Sequence, residues 1–203
     1  MTGEHYFSAD PVSEMRPRLI ALSLAGRDVE VMTAAGVFSP QHLDWGTRVL
    51  LSNVPPPPPG GDLLDLGCGW GPIALSLGIE SPRATVWAVD VNERALELTR
   101  RNADGLGLDN VNAALPDDVP SDIQFRTIWS NPPIRVGKSE LHNILSTWLP
   151  RLAPGGDAWL VVQKNLGSDS LQRWLEASLP DDFSVSRSAT NRGFRVLRVR
   201  RRA

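Results

Sequence analysis

The chain has 203 residues, of which 41% are hydrophobic and 22% are charged. This length and apolar content suffice for one domain with a core, and no stretch approaches the ~20 apolar residues of a membrane span. The single cysteine, Cys68, excludes an internal disulfide framework, and the three scattered histidines lack metal-ligand spacing. The first residues lack the basic start and apolar run of a signal peptide. We therefore expect a cytoplasmic protein with neither a metal site nor a membrane partner.

The net charge of −2 hides an uneven distribution of charge along the chain. Residues 102–125 contain no Lys or Arg, whereas residues 183–203 contain seven arginines and no acid. A basic C-terminal surface is suited to a polyanion such as RNA, but a solvated edge strand with a short tail has the same composition. Charge alone leaves both interpretations open.

The first 54 residues predict a small appendage. Residues 19–24 and 29–33 flank a short polar turn, which is typical of a β-hairpin, and residues 41–53 have helical spacing. Five consecutive prolines at 55–59, followed by two glycines, cannot continue a helix or join a sheet. We therefore predict an N-terminal hairpin and helix over 1–54 and a catalytic core over 61–203, within a single globular unit.

Strands and helices alternate after the proline run. Strands are predicted at 62–66, 84–89, 111–115, 125–130 and 158–163, with closing strands at 183–188 and 194–200. Helices are predicted at 73–79, at 93–104 capped by Asn92, at 140–151 capped by Ser139 and closed by Pro154-Gly155-Gly156, and at 171–179. This alternation predicts an α/β fold with a doubly wound, mostly parallel sheet and a C-terminal antiparallel hairpin.

A glycine-rich loop, Asp65-Leu66-Gly67-Cys68-Gly69-Trp70-Gly71, follows the first core strand. Ligands of such sheets bind beyond the carboxyl ends of the strands, and glycine permits a tight turn and close approach of a ligand. Dinucleotide binders prefer Gly-x-Gly-x-x-Gly, which places a helix N-terminus against a pyrophosphate. Here an acid leads the loop and Pro72 follows it. S-adenosylmethionine is cationic and has no phosphate, so the loop favours this donor.

Asp90 ends the second core strand, where a carboxylate is placed to accept hydrogen bonds from both ribose hydroxyls. The same carboxylate would serve NAD equally well. A simple helix cap is the alternative role.

The tetrapeptide Asn131-Pro132-Pro133-Ile134 follows the fourth core strand. Two consecutive prolines fix the backbone and donate no N–H, so the local carbonyls are predicted to be free and rigidly aimed. The side-chain oxygen of Asn131 and the carbonyl of Pro132 would both accept from an exocyclic NH₂ and direct its lone pair at a methyl group. We assign these two residues the catalytic role; the alternative is a rigid turn that ends a strand.

These motifs resemble the small-domain class I S-adenosylmethionine-dependent methyltransferases, which include the ribosomal RNA guanine-N2 methyltransferases, and in particular their compact single-domain branch. The resemblance covers nearly the whole chain. It rests on residues 36–39, 43–44, 46, 64–71, 89–92, 130–138, 163–164 and 193–197. It implies a Rossmann-like, seven-stranded sheet, S-adenosylmethionine as donor at Asp65, Gly67, Gly69, Gly71 and Asp90, and ribosomal RNA as acceptor. The implied reaction is methylation of a guanine N2.

The same resemblance suggests roles for residues outside the two motifs. An acid after the third core strand often lies near the adenine amine, which points to Asp117, although Pro116-Asp117-Asp118 is also a plausible turn. Pro133 and Ile134 would contact the acceptor. Many members have an aromatic residue where this chain has Ile134, so base stacking must come from elsewhere or be replaced by apolar contact. Arg135 and Lys138 would hold RNA phosphates or form a solvated surface.

Other functions remain as alternatives. A nicotinamide-dependent oxidoreductase leaves the Asn-Pro-Pro motif unexplained and lacks an evident catalytic Tyr-Lys or His partner. A non-catalytic RNA-binding module is disfavoured by the intact acid, glycine and Asn-Pro-Pro positions. A protein amide or amine stays open as acceptor, because the motif would position any planar NH₂. The sequence indicates no oligomeric state.

Overall fold

The computed structural model describes residues 16–203. The strands are β1 Arg18–Leu24, β2 Arg27–Thr33, β3 Gly60–Leu66, β4 Arg83–Val89, β5 Val111–Ala114, β6 Phe125–Ser130, β7 Leu152–Gln163, β8 Phe183–Asn191 and β9 Phe194–Arg201. The α-helices are α1 Trp45–Leu51, α2 Pro72–Glu80, α3 Glu93–Gly105, α4 Lys138–Trp148 and α5 Ser168–Ser178. None of these helices combines the length and apolarity that a membrane crossing requires.

The seven core strands form one sheet in the order β5-β4-β3-β6-β7-β9-β8. The strands from β5 to β7 are parallel, and β9 runs antiparallel to both of its neighbours. The chain moves from β3 outward to β5 and then returns to place β6 on the other side of β3. The predicted doubly wound sheet with a C-terminal antiparallel hairpin is therefore confirmed. The reversal between β3 and β6 creates the crevice in which such folds bind ligands.

Helices cover both faces of the central strands, so consecutive residues of these strands are buried. In β3, Leu63 packs into one cluster of buried side chains and Leu64 into the other. Leu63 shares its cluster with Leu50 of α1 and Val161 of β7. The N-terminal helix thus packs directly on the sheet that carries the crevice.

The N-terminal hairpin β1–β2 is held to the core by one buried amide. Asn102 of α3 accepts a hydrogen bond from the Met32 backbone N–H at 2.6 Å and donates to the Met32 carbonyl at 2.9 Å. Its Nδ2 also donates to the carbonyl of Trp70 at 3.0 Å. Because Trp70 belongs to the glycine loop, this amide links the hairpin to the crevice.

Two predicted helices differ from the structure at their ends. The helix predicted at 41–53 is shorter, because Asp44 has extended backbone angles and caps a helix that begins at Trp45. Ser139 does not cap α4, which begins at Lys138 after Gly137. That helix also ends earlier than predicted, at Trp148, because Pro150 has no N–H for an α-helical bond and a short 3-10 turn follows. Pro154-Gly155-Gly156 lies inside β7, where the pairing with β6 is irregular.

Candidate active site

A pocket lies at the carboxyl ends of the central strands, at the reversal between β3 and β6. Both sequence motifs reach it. Its lining includes Gly67 and Gly69 of the glycine loop, Asp90 after β4, and Asn131, Pro132, Pro133 and Ile134 after β6. The structure therefore brings the expected donor and acceptor motifs into one cavity.

The glycine loop is fixed to the end of β4. The backbone N–H groups of Gly67 and Cys68 both donate to the carbonyl of Val89, at 2.8 and 3.0 Å. Gly69 has a φ of 58°, and a Cβ added to it would meet no atom within 4 Å. The loop thus leaves open space on the ligand side. Burial raises the pKa of the Cys68 thiol well above its usual value, so Cys68 is a packing residue of this loop and not a nucleophile.

Asp65 and Gly71 belong to the loop motif but do not line the pocket. The Asp65 carboxylate is fully buried, and its Oδ2 accepts from the Ala74 N–H in the first turn of α2 at 2.9 Å. Burial raises the pKa of Asp65 well above its ordinary value, with a further increase from the charge of Asp90. A Cβ on Gly71 would approach the Thr99 hydroxyl to 2.9 Å, so this glycine allows α2 to pack closely on α3. Both residues support the loop from behind.

The Asp90 carboxylate lies at the pocket wall and is oriented by two backbone amides. Its Oδ2 accepts from Gly69 N–H and its Oδ1 from Asn92 N–H, each at 2.9 Å. Burial raises the pKa of Asp90, and these two hydrogen bonds oppose the effect. The helix-cap alternative does not apply to Asp90, because the Asn92 side chain caps α3. Each Asp90 oxygen keeps lone pairs for ligand hydroxyls.

The Asn131 side chain has one possible orientation. Its Nδ2 donates to Asp44 Oδ2 at 2.9 Å and to Thr47 Oγ1 at 3.1 Å. A carboxylate can only accept, so the Asn131 atom facing Asp44 must be the nitrogen. Both amide hydrogens are used in this way, and the Asn131 Oδ1 is left as an acceptor for the pocket.

Asp44 also begins α1, because the same Oδ2 accepts from the N–H groups of Gly46 at 2.7 Å and Thr47 at 3.2 Å. A Cβ on Gly46 would lie 2.9 Å from Asp44 Oδ2, 3.1 Å from Phe194 Cε1 and 3.2 Å from Asn131 Nδ2. Glycine is therefore needed here for close packing. The start of α1 and the Asn131 amide form one hydrogen-bonded unit.

The Pro132 carbonyl differs from the prediction, because it is not wholly free. It accepts from the Ile134 N–H at 2.8 Å, which closes a tight turn around Pro133. One lone pair of this carbonyl remains available, since a carbonyl oxygen has two. The hydroxyl of Ser130 donates to the Leu66 carbonyl at 2.7 Å, which ties this turn to the end of β3.

Aromatic and apolar side chains form the rest of the pocket wall. Ile134 is partly buried there, and Phe38, Gln163, Leu166 and Phe194 also line the cavity. Phe38 and Leu166 are 41% and 45% exposed, so each presents apolar surface beside the opening. Two aromatic rings are therefore available although Ile134 is not aromatic.

Sequence reasoning assigned no role to Asp44, Thr47, Phe38, Gln163 or Phe194. The local sequence could have indicated a cap at Asp44, because aspartate is a preferred residue at the start of a helix. Its contact with Asn131 spans 87 positions and has no local signature.

Other expected site residues lie away from the pocket. Asp117 is in a short 3-10 turn after β5 and is not among the lining residues. Lys138 is exposed at the start of α4. Arg135 follows Ile134 in the chain, and its side chain lies outside the described part of the structure. Within residues 16–203, no group of three or more His, Cys, Asp or Glu side chains is arranged to hold a metal.

The basic C-terminal surface does not flank the pocket, because its last arginines lie at the other end of the sheet. Because β9 is antiparallel to β7, Phe194 pairs with Gln163 at the pocket end, whereas Arg200 pairs with Asp157 at the other end. That separation is about 20 Å at ~3.3 Å per residue. These arginines also have acidic partners. The ion pairs are Arg195 with Asp169, Arg198 and Arg200 with Asp157, and Arg201 with Asp182.

Comparisons with known proteins agree with this fold and pocket. The chain is 35% identical to the Bacillus subtilis protein YbxB over 201 residues, which is 98% of each chain. It is 31% identical over 197 residues to ribosomal RNA small subunit methyltransferase C of Pseudomonas aeruginosa (strain LESB58), covering 95% of this chain and 57% of that relative.

Among solved structures, the T. thermophilus 16S rRNA N2 methyltransferase RsmC, in complex with AdoMet and guanosine, superimposes with a TM-score of 0.78 at 22% identity. That match covers 96% of this chain and 53% of the RsmC chain, so this chain spans about half of such relatives. The family model described as methyltransferase small domain matches residues 28–198. The predicted family and methyltransferase activity are thereby confirmed, and the chain belongs to the methyltransferase small domain family.

Proposed function

We propose that this chain transfers a methyl group from S-adenosylmethionine to an exocyclic amine in ribosomal RNA, the guanine N2 being the acceptor. The observation that carries the proposal is the fixed Asn131 amide. Asp44 and Thr47 hold both of its hydrogens, and its oxygen remains for an NH₂ donor beside the glycine loop.

The residues of the pocket fit this donor. When bound, S-adenosylmethionine supplies an electrophilic methyl group on a positively charged sulfur. Gly67 and Gly69 leave room for a ligand against the backbone, and the Asp90 carboxylate would accept from ribose hydroxyls. The described lining side chains include the carboxylates of Asp44 and Asp90 but no Lys or Arg, so the pocket favours a cation.

The start of α2 is unsuited to the pyrophosphate of NAD. Pro72, its first residue, has no N–H, and the Ala74 N–H is already bonded to the buried carboxylate of Asp65. Pyrophosphate binding at a helix N-terminus needs free N–H groups and no competing negative charge. The oxidoreductase alternative is therefore disfavoured on electrostatic grounds as well.

The acceptor amine would donate one hydrogen to Asn131 Oδ1 and the other to the remaining lone pair of the Pro132 carbonyl. Its nitrogen lone pair is then perpendicular to both hydrogen bonds and points toward the donor side of the pocket. With the donor held at Gly67, Gly69 and Asp90, it would supply the methyl group to this nitrogen and leave as S-adenosylhomocysteine, and the amine would lose one proton to water. The chain thus contributes positioning and stabilisation of the developing positive charge by two oxygens.

Two further observations favour a nucleobase in ribosomal RNA. Phe38 and Phe194 line the pocket and would provide stacking surface for a planar ring. The relatives named ribosomal RNA small subunit methyltransferase C match most of this chain, and the RsmC structure contains guanosine. A ribosomal RNA substrate would place the enzyme in the cytoplasm.

The test is transfer of labelled methyl groups to small ribosomal subunits from cells that lack the gene. The expected product is N2-methylguanosine at one position, identified by nuclease digestion with mass spectrometry and mapped by primer extension. Asn131→Ala should abolish this transfer while S-adenosylhomocysteine binding stays within about threefold, because the proposed role of Asn131 is to hold the acceptor and not the donor. Label appearing in ribosomal protein, with none in RNA, would contradict the proposal and favour a protein amide or amine.

A further inference from the structure

An exposed aromatic side chain beside two arginines lies next to the active-site pocket. Trp45 is 47% exposed, which is unusual for so large a side chain. The guanidinium of Arg48 lies 5.3 Å from the centre of its ring system and that of Arg192 lies 4.5 Å away. Over residues 16–203, neither guanidinium forms an ion pair with a carboxylate. We call these three residues the Trp45 cluster.

The Trp45 cluster lines an open cleft, and two of its residues adjoin residues of the active-site pocket along the chain. Trp45 directly follows Asp44, which holds Asn131, and Arg192 lies two residues before Phe194 of the pocket wall. Among the residues that line the cleft, Glu80 is the one carboxylate, against two guanidiniums. A polymeric substrate that places one of its units in the pocket would therefore place the neighbouring units beside the Trp45 cluster.

The backbone at Arg192 supports a functional role for its side chain. Arg192 and Gly193 form the two-residue turn between β8 and β9, with φ values of 48° and 80°. Turns of this kind favour Asn-Gly, because an L-residue other than Asn or Asp is strained at positive φ. An arginine at this position lowers the stability of the fold. A functional contact of its guanidinium would explain why an arginine is found there.

We propose that the Trp45 cluster binds the RNA strand that flanks the target nucleotide. Arg48 and Arg192 would neutralise phosphates, and a flanking base would pack against the exposed part of Trp45. The Arg48 Nε donates to the Leu43 carbonyl at 3.0 Å, but neither guanidinium has a carboxylate partner within residues 16–203. An aromatic ring flanked by such guanidiniums suits a single strand, which offers bases and phosphates together. This inference rests on the proposed function, and it places the RNA-binding surface at Arg48 and Arg192 and not at the last arginines of β9.

The test uses a fluorescent single-stranded RNA with one central guanosine, titrated with the full chain from about 50 to about 200 mM KCl. Arg48→Gln with Arg192→Asn should reduce the slope of log K against log salt by about 1.4, which is ~0.7 for each of two phosphates. Trp45→Ala should raise the Kd roughly 5- to 150-fold. Arg192→Asn should leave the melting temperature unchanged or higher, because Asn tolerates the turn better, whereas a merely structural arginine would lower it.

The matched control is Arg126→Gln with Arg202→Gln, which removes the same charge from two exposed arginines at the opposite end of the sheet. The control should retain the wild-type slope, and all variants should bind S-adenosylhomocysteine like the wild type. If the wild type binds RNA but the cluster variants match the control, the inference is wrong while the proposed function stands. A wild type that neither binds nor methylates RNA overturns both. An acidic peptide that binds through the same arginines, with RNA methylation unaffected by their loss, would assign the cleft to a protein partner.

Discussion

Replacing Asp44 by serine separates its two structural tasks. Serine is as good a helix cap as aspartate, so α1 should keep its start, and any loss of stability should come from the lost bond to Asn131. The shorter side chain cannot reach the Asn131 Nδ2, which now lies 2.9 Å from the carboxylate. A hydrogen bond to a charged group contributes about 1.5–3 kcal/mol. If that energy holds Asn131 in its productive orientation, kcat should fall roughly 10- to 150-fold.

The assay is single-turnover methyl transfer to ribosomal RNA, with donor affinity measured separately by calorimetry. Thr47→Val removes the weaker acceptor of Asn131 and should lower kcat about 2- to 10-fold, whereas Thr47→Ser keeps the hydroxyl and is the control. Donor affinity should be unchanged in the two Thr47 variants, whereas Asp44→Ser should weaken it slightly, because one negative charge is lost from the pocket lining. A folded Asp44→Ser enzyme with wild-type kcat would refute the orientation argument, and a change confined to the acceptor KM would assign Asp44 to acceptor binding.

The remaining predictions concern three other positions. Asp90→Ala should weaken S-adenosylmethionine binding by about 1–3 kcal/mol, since ligand hydroxyls lose their acceptor; calorimetry tests this, and unchanged affinity would exclude Asp90 from the donor site. Asp65→Asn should gain stability relative to the wild type as pH rises above about 4. Because burial raises the Asp65 pKa in the folded state, the wild type loses stability as pH rises from the unfolded toward the folded pKa. Urea unfolding at acidic and neutral pH measures this difference; a constant difference would refute the pKa shift, and a difference that shrinks as pH rises would refute its sign. Gly46→Ala should lower kcat without weakening donor binding, because its Cβ would push Asn131 and Phe194 apart; an unchanged kcat would show that the packing there can relax.

The sequence predicted what depends on local patterns. The apolar run of β3, the Asn92 cap of α3 and the closing hairpin all follow from periodicity and capping chemistry, and the structure has them. The meeting of the glycine loop and the Asn-Pro-Pro motif was also predictable, because both follow parallel strands and such ends meet at one edge of the sheet.

What could not be predicted depends on contacts between distant segments. The Asp44 carboxylate that fixes Asn131 comes from a different part of the chain. Its local sequence indicates only a helix cap and gives no sign of the contact with Asn131. The number of C-terminal arginines is evident from the sequence, but their position in the fold is not. The register of β9 against β7 decides which end of the sheet they occupy. Asp65 follows the expected motif, yet only burial reveals that it faces α2 and not the ligand.

The bond between the Ser130 hydroxyl and the Leu66 carbonyl has a consequence for how such enzymes diversify. It joins the donor loop and the acceptor turn, and Pro133 Cδ lies 3.9 Å from where a Cβ on Gly67 would be. These contacts therefore fix the spacing between the glycine loop and the Asn-Pro-Pro turn. A change of acceptor would have to arise in the surrounding walls, at positions such as Ile134, Leu166 and Phe194, while the two loops keep their spacing. Directed evolution toward new amines should accordingly accumulate substitutions in those walls and leave Ser130 untouched.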